Sequence, residues 1–263
     1  MRLLVKLRCV EDTEYEMQYH YHLQGFIYNL LKCSKYHYIH GKEGYKFFCF
    51  SNIFPVTKLE KGNLHTLIIS SPDAIFIMHL YDLLSQSRTT TTIEIGCMKF
   101  EIYHLKKYDI RLPERSFTLM TGTPIVVRIR REKYNDFDID LDGDYDWIYW
   151  RSSHPINLFI CQLESNLVKK YSEFLSINHK VADKNGTNNS RPSNLFQKIK
   201  FKKQISTRIF MKGLEQVIIG TVWEFSFAKP INRDLLQFAL DTGLGERNSL
   251  GFGFMNLKSI RYT

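Results

Sequence analysis

At 263 residues the chain is long enough to bury a substantial core, and two domains of roughly 100–150 residues each fit within it. Hydrophobic residues make up 44% against 24% charged, which argues against a disordered chain, and 36 Lys+Arg against 27 Asp+Glu leave a net charge of +9, the sign suited to a phosphate-rich partner. The five cysteines, Cys9, Cys33, Cys49, Cys97 and Cys161, are scattered and never spaced C-x-x-C, so neither a disulfide framework nor a cysteine zinc site is expected. Arg8 and Glu11 interrupt the N-terminal apolar run, and no window nears the ~18 apolar residues of a membrane span. A cytoplasmic protein without membrane contact is the expectation.

Residues 2–10, RLLVKLRCV, read as a strand. Leu23, Phe26, Ile27, Leu30 and Leu31 then recur at helical spacing, and at 100° per residue Tyr28 falls beside that stripe, where its hydroxyl reaches the edge of the core. Residues 45–50 (YKFFCF) and 64–69 (LHTLII) read as strands. Ser71-Pro72 has the form of an N-cap followed by a first-turn proline, opening a helix over 73–85, and the β-branched tract 89–103 closes this half as a strand.

The second half repeats the pattern without repeating the residues. Strands are expected at 116–120 and 124–131, a helix opened by Pro155 over 155–177, paired strands at 195–211 and 217–227, a capped helix at 232–241 and a last strand at 252–260. Residues 179–194 are too polar to pack and read as a loop. Strand, helix, strand, strand, helix, strand is the ferredoxin-like plan. The expected fold is therefore α+β, with two tandem ferredoxin-like (RRM-like) domains at 1–115 and 116–263 and a glycine-rich loop near the C-terminus.

Three features bear chemistry. Lys198, Lys200 and Lys202 alternate with Ile199 and Phe201, and Arg128 and Arg130 alternate with Val127 and Ile129. Period-two alternation puts the cations of each strand on one face, as a solvated face or a phosphate-binding surface would require. The segment GLGERNSLGFGF carries Gly243, Gly245, Gly251 and Gly253 after a helix and before a strand, the reverse of the dinucleotide fingerprint, and no G-K-[ST] follows. Such a turn still lets backbone N–H groups approach phosphates. Tyr28, His40 and Lys46, with His20, His22 and His37 nearby, supply proton-transfer groups and a cation. No carboxylate completes a zinc site with the histidines. Asp138, Asp140, Asp142 and Gly143 match the opening of a calcium loop, but Tyr149 stands where its last ligand is required, so an acidic hairpin or loop is expected.

From MRLLVKL through HLQGFIYNLL to GLGERNSLGFGF the chain resembles the CRISPR-associated endoribonucleases of the sixth Cas family, within the RAMP superfamily. The resemblance implies metal-independent cutting of precursor CRISPR RNA within the repeat, with no cofactor, leaving a cyclic phosphate and a 5′-hydroxyl. It implies Tyr28, His40 and Lys46 as the catalytic set. His40 is preferred to His37 because it keeps a six-residue step to Lys46. The basic rows and the four glycines are the expected RNA contacts. Partners would be CRISPR repeat RNA and other CRISPR-associated proteins of an interference complex, with a homodimer one form open to it; a catalytically inert RNA-binding subunit of the same fold is the alternative.

Overall fold

The computed structural model describes residues 1–87, 92–141, 143–178, 195–196, 198–211, 213–228 and 232–258. The expected loop at 179–194 lies outside them. Two compact units are present: Met1–Arg111 with Thr207–Val217 and Asn248–Gly251, and Leu112–Ser206 with Ile218–Arg247 and Phe252–Thr263. Among the described residues no helix is long and apolar enough to cross a membrane.

In the first unit β1 (Arg2–Cys9) turns Leu3, Val5, Leu7 and Cys9 into the core by simple alternation. α1 (Tyr19–Leu31) buries Leu23, Ile27 and Leu31 at no more than 1% exposure, with Phe26 and Leu30 packed at the margin. β2 (Cys49–Phe50), β3 (Leu64–Ser70), α2 (Ala74–Ser87), β4 (Ile93–Ile95) and β5 (Met98–Tyr108) follow. The sheet runs β2-β3-β1-β5-β4, with β1 antiparallel to both β3 and β5. Apart from the added β4, this is the ferredoxin-like order.

The second unit repeats it. β6 (Phe117–Thr121) is followed by a ribbon of β7 (Arg128–Arg130) and β8 (Trp147–Tyr149), then α3 (Ile156–Ile177), β9 (Lys198–Met211), β10 (Leu214–Phe227), α4 (Arg233–Thr242) and β11 (Met255–Leu257). The main sheet runs β11-β6-β10-β9. Trp223 anchors its core between Phe159, with ring centroids 4.7 Å apart, and Trp150 at 5.7 Å. α4 is capped as expected, the Asn232 side chain accepting from the Leu235 N–H.

Four expectations shift. The strand expected at 45–50 is reduced to Cys49–Phe50, because Phe47 sits at φ 51, outside the extended region. The helix expected from 73 is capped by Asp73 and not by Ser71: the Asp73 carboxylate accepts from the N–H groups of Ile75 (2.9 Å) and Phe76 (3.1 Å), while the Ser71 hydroxyl donates to the Phe47 carbonyl (2.7 Å). The strand expected at 124–131 is regular only over Arg128–Arg130, since Ile125 and Val126 make single bridges to Thr221 and Glu246. The acidic stretch ends in β8, which the charge pattern hid.

Asp73→Ala removes acceptors from two helix-terminal N–H groups and should cost about 1 kcal/mol, read as a lower denaturant midpoint with an unchanged m-value. Ser71→Ala should leave the α2 terminus capped.

Candidate functional site

α1 carries a polar stripe beside its apolar one. His20, Gln24 and Tyr28 recur every four residues, which stacks them along one face. All three meet the turn Asn248–Gly251. His20 is buried with Nδ1 2.7 Å from the Leu250 carbonyl, and since a carbonyl only accepts, Nδ1 carries the proton. Gln24 Nε2 donates to the Ser249 carbonyl (2.9 Å) and to its hydroxyl (3.1 Å). The Ser249 side chain also lies near Tyr28, where it favours the ionised phenol.

The segment between α1 and β2 brings the other two expected residues to Tyr28. Buried Tyr36 and Ile39 pin a short 3₁₀ turn, His37–Ile39, and His40 follows it exposed to solvent, its ring 5.2 Å from that of Tyr28 at 84°. Lys46 Nζ donates to Tyr28 Oη at 2.9 Å, lies 4.9 Å from the ring centroid, and reaches the His40 carbonyl at 3.4 Å. The six-residue step from His40 to Lys46 thus closes on one tyrosine. His37 stands apart, its Nδ1 held 3.0 Å from the Ser34 carbonyl. Phe47, next to Lys46, is in the left-handed region at φ 51, a conformation costing a non-glycine residue about 1–3 kcal/mol. The contacts on it include the Ser71 hydroxyl on its carbonyl, the Lys42 ammonium 4.5 Å from its ring centroid and the Tyr45 ring at 6.3 Å.

Burial sets the charges here. It pushes the Tyr28 phenol up to about 12 against the partial opposition of the Ser249 hydroxyl, and it lowers the Lys46 ammonium. At neutral pH the pair is a protonated phenol accepting from a cation.

The expected RNA contacts divide. Lys198 and Lys200 are exposed on β9, whereas Lys202 reaches the Glu224 carboxylate at 3.0 Å, on the same oxygen that Lys258 takes at 3.0 Å. Arg128 is tied to Glu246 through its Nε (2.7 Å) and its backbone N–H (3.0 Å). Arg130 pairs with Glu132 at 3.5 Å on an exposed face, 5.3 Å from the centroid of the exposed Trp147 ring. The glycines make close approaches to the protein itself. A Cβ at Gly245 would sit 2.4 Å from the Val126 carbonyl oxygen, and one at Gly251 would sit 2.3 Å from the Phe50 ring. The carbonyls of Gly243 and Gly245 accept from buried Lys170 (3.1 and 3.2 Å), and the Gly253 carbonyl accepts from the Leu244 N–H (2.9 Å).

Asp138 and Asp140 are solvent-exposed and Asp142 lies outside the described residues. Among the described residues no three or more His, Cys, Asp or Glu side chains gather as a metal site. Sequence reasoning missed Gln24, Ser249 and the carboxylates Glu224 and Glu246. The four-residue steps of His20, Gln24 and Tyr28 were the available signal for the first; the other three act across strands or turns far apart in the chain.

The family model described as CRISPR associated protein Cas6, C-terminal, matches residues 106–257. A CRISPR-associated endoribonuclease Cas6 2 of Methanocaldococcus jannaschii is 32% identical over 265 residues, spanning 97% of this chain and 99% of its own length. A CRISPR-associated endoribonuclease Cas6 of Haloferax mediterranei is 29% identical, covering 98% of this chain and 93% of its own. A solved structure described as an RAMP protein binding different RNA substrates superposes with a TM-score of 0.69 at 20% identity, covering 98% of this chain and all of its own; at that identity it speaks to the fold alone.

Burial lowers His20 from 6.5 to about 4, so the unfolded chain binds the proton first as the pH falls. Its contribution is complete above about pH 6.5 and is lost progressively toward pH 4, by up to about 3 kcal/mol. Denaturant midpoints measured across that window should fall more steeply for the parent chain than for His20→Gln, which keeps an amide donor and has no proton to gain. Parallel curves would remove His20 as the source.

Proposed function

Since the chain belongs to the Cas6 family of CRISPR-associated endoribonucleases, we propose that it cuts precursor CRISPR RNA within the repeat, without a metal, by attack of the substrate's own 2′-hydroxyl on the adjacent phosphorus. The products would be a cyclic phosphate and a 5′-hydroxyl. The observation that carries this reading is the meeting of Lys46 Nζ with Tyr28 Oη at 2.9 Å beside the His40 ring. An internal transesterification needs two proton transfers and a cation for the crowded phosphorane oxygens. His40 and Tyr28 serve the transfers and Lys46 the charge. His40 is preferred to His37, since the His37 imidazole is engaged by the Ser34 carbonyl.

Repeat RNA is the proposed partner, met first by the exposed ammoniums of Lys198 and Lys200 and by the Arg130–Trp147 pair, with the glycine-rich turns adding backbone donors. Arg128 and Lys202 have carboxylate partners already, and they would serve RNA by orientation more than by free charge. Five free cysteines accord with work in a reducing cytosol. Assembly with other CRISPR-associated proteins, and with a second copy of the chain, belongs to the same reading.

His40→Ala should slow cleavage by about 10²–10⁴ with binding of repeat RNA nearly intact. Cleavage should persist in excess EDTA and stop when the nucleotide before the scissile phosphate is 2′-deoxy, because the nucleophile is then missing; a two-metal nuclease, which uses water, would tolerate that change. Tight binding without any cutting would favour an inert RNA-binding subunit. Lys198→Gln with Lys200→Gln should flatten the salt dependence of binding by roughly 0.7 per lost contact on a single strand, and Lys202→Gln by less. An unchanged slope would place this strand face away from the RNA.

A further inference from the structure

The loop between α1 and β2 is gripped on either side of His40 and Lys46 by the residues that lead into α2. Those residues are Ser71 and Asp73, joined by Pro72, whose locked φ removes one of the few rotations by which its neighbours could separate. The anchor behind them is firm, since the Ser71 N–H donates to the Met1 carbonyl (3.1 Å) and Ser70 is paired with Arg2 of β1 and with Cys49 of β2. On one side of the loop the Ser71 hydroxyl donates to the carbonyl of Phe47 (2.7 Å), the residue after Lys46. On the other side the Asp73 carboxylate divides its oxygens: Oδ1 accepts from the N–H groups of Ile75 (2.9 Å) and Phe76 (3.1 Å), and Oδ2 accepts from the Tyr36 hydroxyl (2.9 Å). Tyr36 is buried edge-on against Phe76, with ring centroids 5.2 Å apart. It heads the 3₁₀ turn that ends at His40, its carbonyl accepting from the Ile39 N–H (3.0 Å) and the His37 carbonyl from the His40 N–H (3.4 Å). The Asp73 Oδ1 contacts alone cap α2, so the bonds to Tyr36 and Phe47 serve the loop.

We propose that Ser71 and Tyr36 are positioning residues for cleavage, Ser71 setting Lys46 and Tyr36 setting His40 against Tyr28. The proposal rests on the reading of Tyr28, His40 and Lys46 given above. The chain beyond Phe47 is fixed, because Phe48, Cys49 and Phe50 are at most 1% exposed and β2 is paired with β3. Phe47 itself stands at φ 51, so its N–Cα bond is the joint between that fixed strand and the lysine. A change of φ from 51° to the ordinary value of about −60° would turn Lys46 through roughly 110° about this joint. Its Nζ would then leave Tyr28 Oη, which it now meets at 2.9 Å. The Ser71 hydroxyl opposes that turn by holding the Phe47 carbonyl in place. At His40 the lever is the 3₁₀ turn, whose hydrogen bonds are of poorer geometry than those of an α-helix. With the Tyr36 hydroxyl released from Asp73, the turn loses a fixed end, and the imidazole loses its place 5.2 Å from the Tyr28 ring. Catalysis registers such shifts more sharply than folding does, since a misplacement of about 1 Å can cost about 10² in rate.

The test measures single-turnover cleavage of repeat RNA at saturating protein, with affinity read separately on the uncut 2′-deoxy RNA. Ser71→Ala and Tyr36→Phe should each slow cleavage about 3- to 10-fold, the worth of one hydrogen bond, with Kd unchanged. Each positioning residue acts through the group it places, so its loss should vanish once that group is gone. Ser71→Ala should therefore cost nothing further in a Lys46→Ala background, and Tyr36→Phe nothing further in a His40→Ala background. The left-handed joint supplies a third comparison: glycine adopts φ > 0 without strain, so in a Phe47→Gly background Ser71→Ala should lose less than about 2-fold. Melting temperatures and binding of the 2′-deoxy RNA check that each variant is folded at the assay temperature. Losses that multiply in the Lys46→Ala background would overturn the role of Ser71 and reduce it to a structural contact, and losses that multiply in the His40→Ala background would do the same for Tyr36. Cleavage at the parent rate by both Ser71→Ala and Tyr36→Phe would overturn the proposal whole. Cleavage at the parent rate by Lys46→Ala and His40→Ala would instead overturn the underlying reading of the site.

Discussion

The ring of Phe50 leaves no space for a side chain at residue 251, where a Cβ would come within 2.3 Å of it, and the backbone there runs at φ +83. Only glycine meets both conditions. Because the turn closes so tightly on β2, the two residues before it are delivered to α1 at hydrogen-bonding distance: Leu250 to His20 at 2.7 Å and Ser249 to Gln24 at 2.9 Å. Moving the turn outward by even an ångström would break both contacts. A packing constraint on a glycine thereby governs how α1 meets the turn. The buried, neutral His20 belongs to the same constraint, since its Nδ1 proton occupies a carbonyl that would otherwise be buried and unsatisfied.

The +9 net charge is not spread evenly in effect. Glu224 holds two ammoniums on one oxygen, which draws its carboxyl below the usual range, and Glu246 grips Arg128 through both its side chain and its backbone. The Arg128–Glu246 bonds are charge-assisted and partly sheltered, so they fix geometry. The Arg130–Glu132 pair, exposed on both sides, is screened and worth little. Cations that keep their full field in solvent are those without such partners, and among the described residues Lys198 and Lys200 are of that kind. A count of basic residues overstates the positive surface; position relative to the carboxylates decides it.

Much of the fold was legible because periodicity is a local property. The alternation of Leu3, Val5 and Leu7, the apolar stripe of α1 and the Asn232 cap each follow from neighbours within a few residues. Even the position of Tyr28 beside its stripe follows from 100° steps. What escaped was set by partners distant in sequence. The Ser71 hydroxyl donates to the distant Phe47 carbonyl while its oxygen accepts from the Asp73 N–H (3.1 Å), and the N–H groups of Ile75 and Phe76 are left to the Asp73 carboxylate. The charge row of β9 could not reveal that Glu224, on the neighbouring strand, would neutralise one member. Nothing in a linear reading signals that Thr207–Val217 and Asn248–Gly251 return to the first unit. The Tyr28, His40 and Lys46 set was found through family resemblance, since spacing alone left a surface histidine the simpler account.

The electrostatics of Tyr28 decide what the polar groups beside it accomplish. A phenol in water ionises near 10, and donors aimed at its oxygen favour ionisation by stabilising the anion. Here burial opposes them and wins, leaving the group near 12. Had the donors won, Tyr28 would be a phenolate at neutral pH and Lys46 its salt-bridge partner, a pair too well satisfied to exchange protons with a substrate. Because burial prevails, the bond from Lys46 is made to a phenol that keeps its proton. The same desolvation weakens the hold of Lys46 on its own proton, which sharpens its donation to the phenol oxygen. Placing Tyr28 beside the apolar stripe of α1, and not upon it, gives it enough cover to remain protonated and enough exposure to meet a ligand.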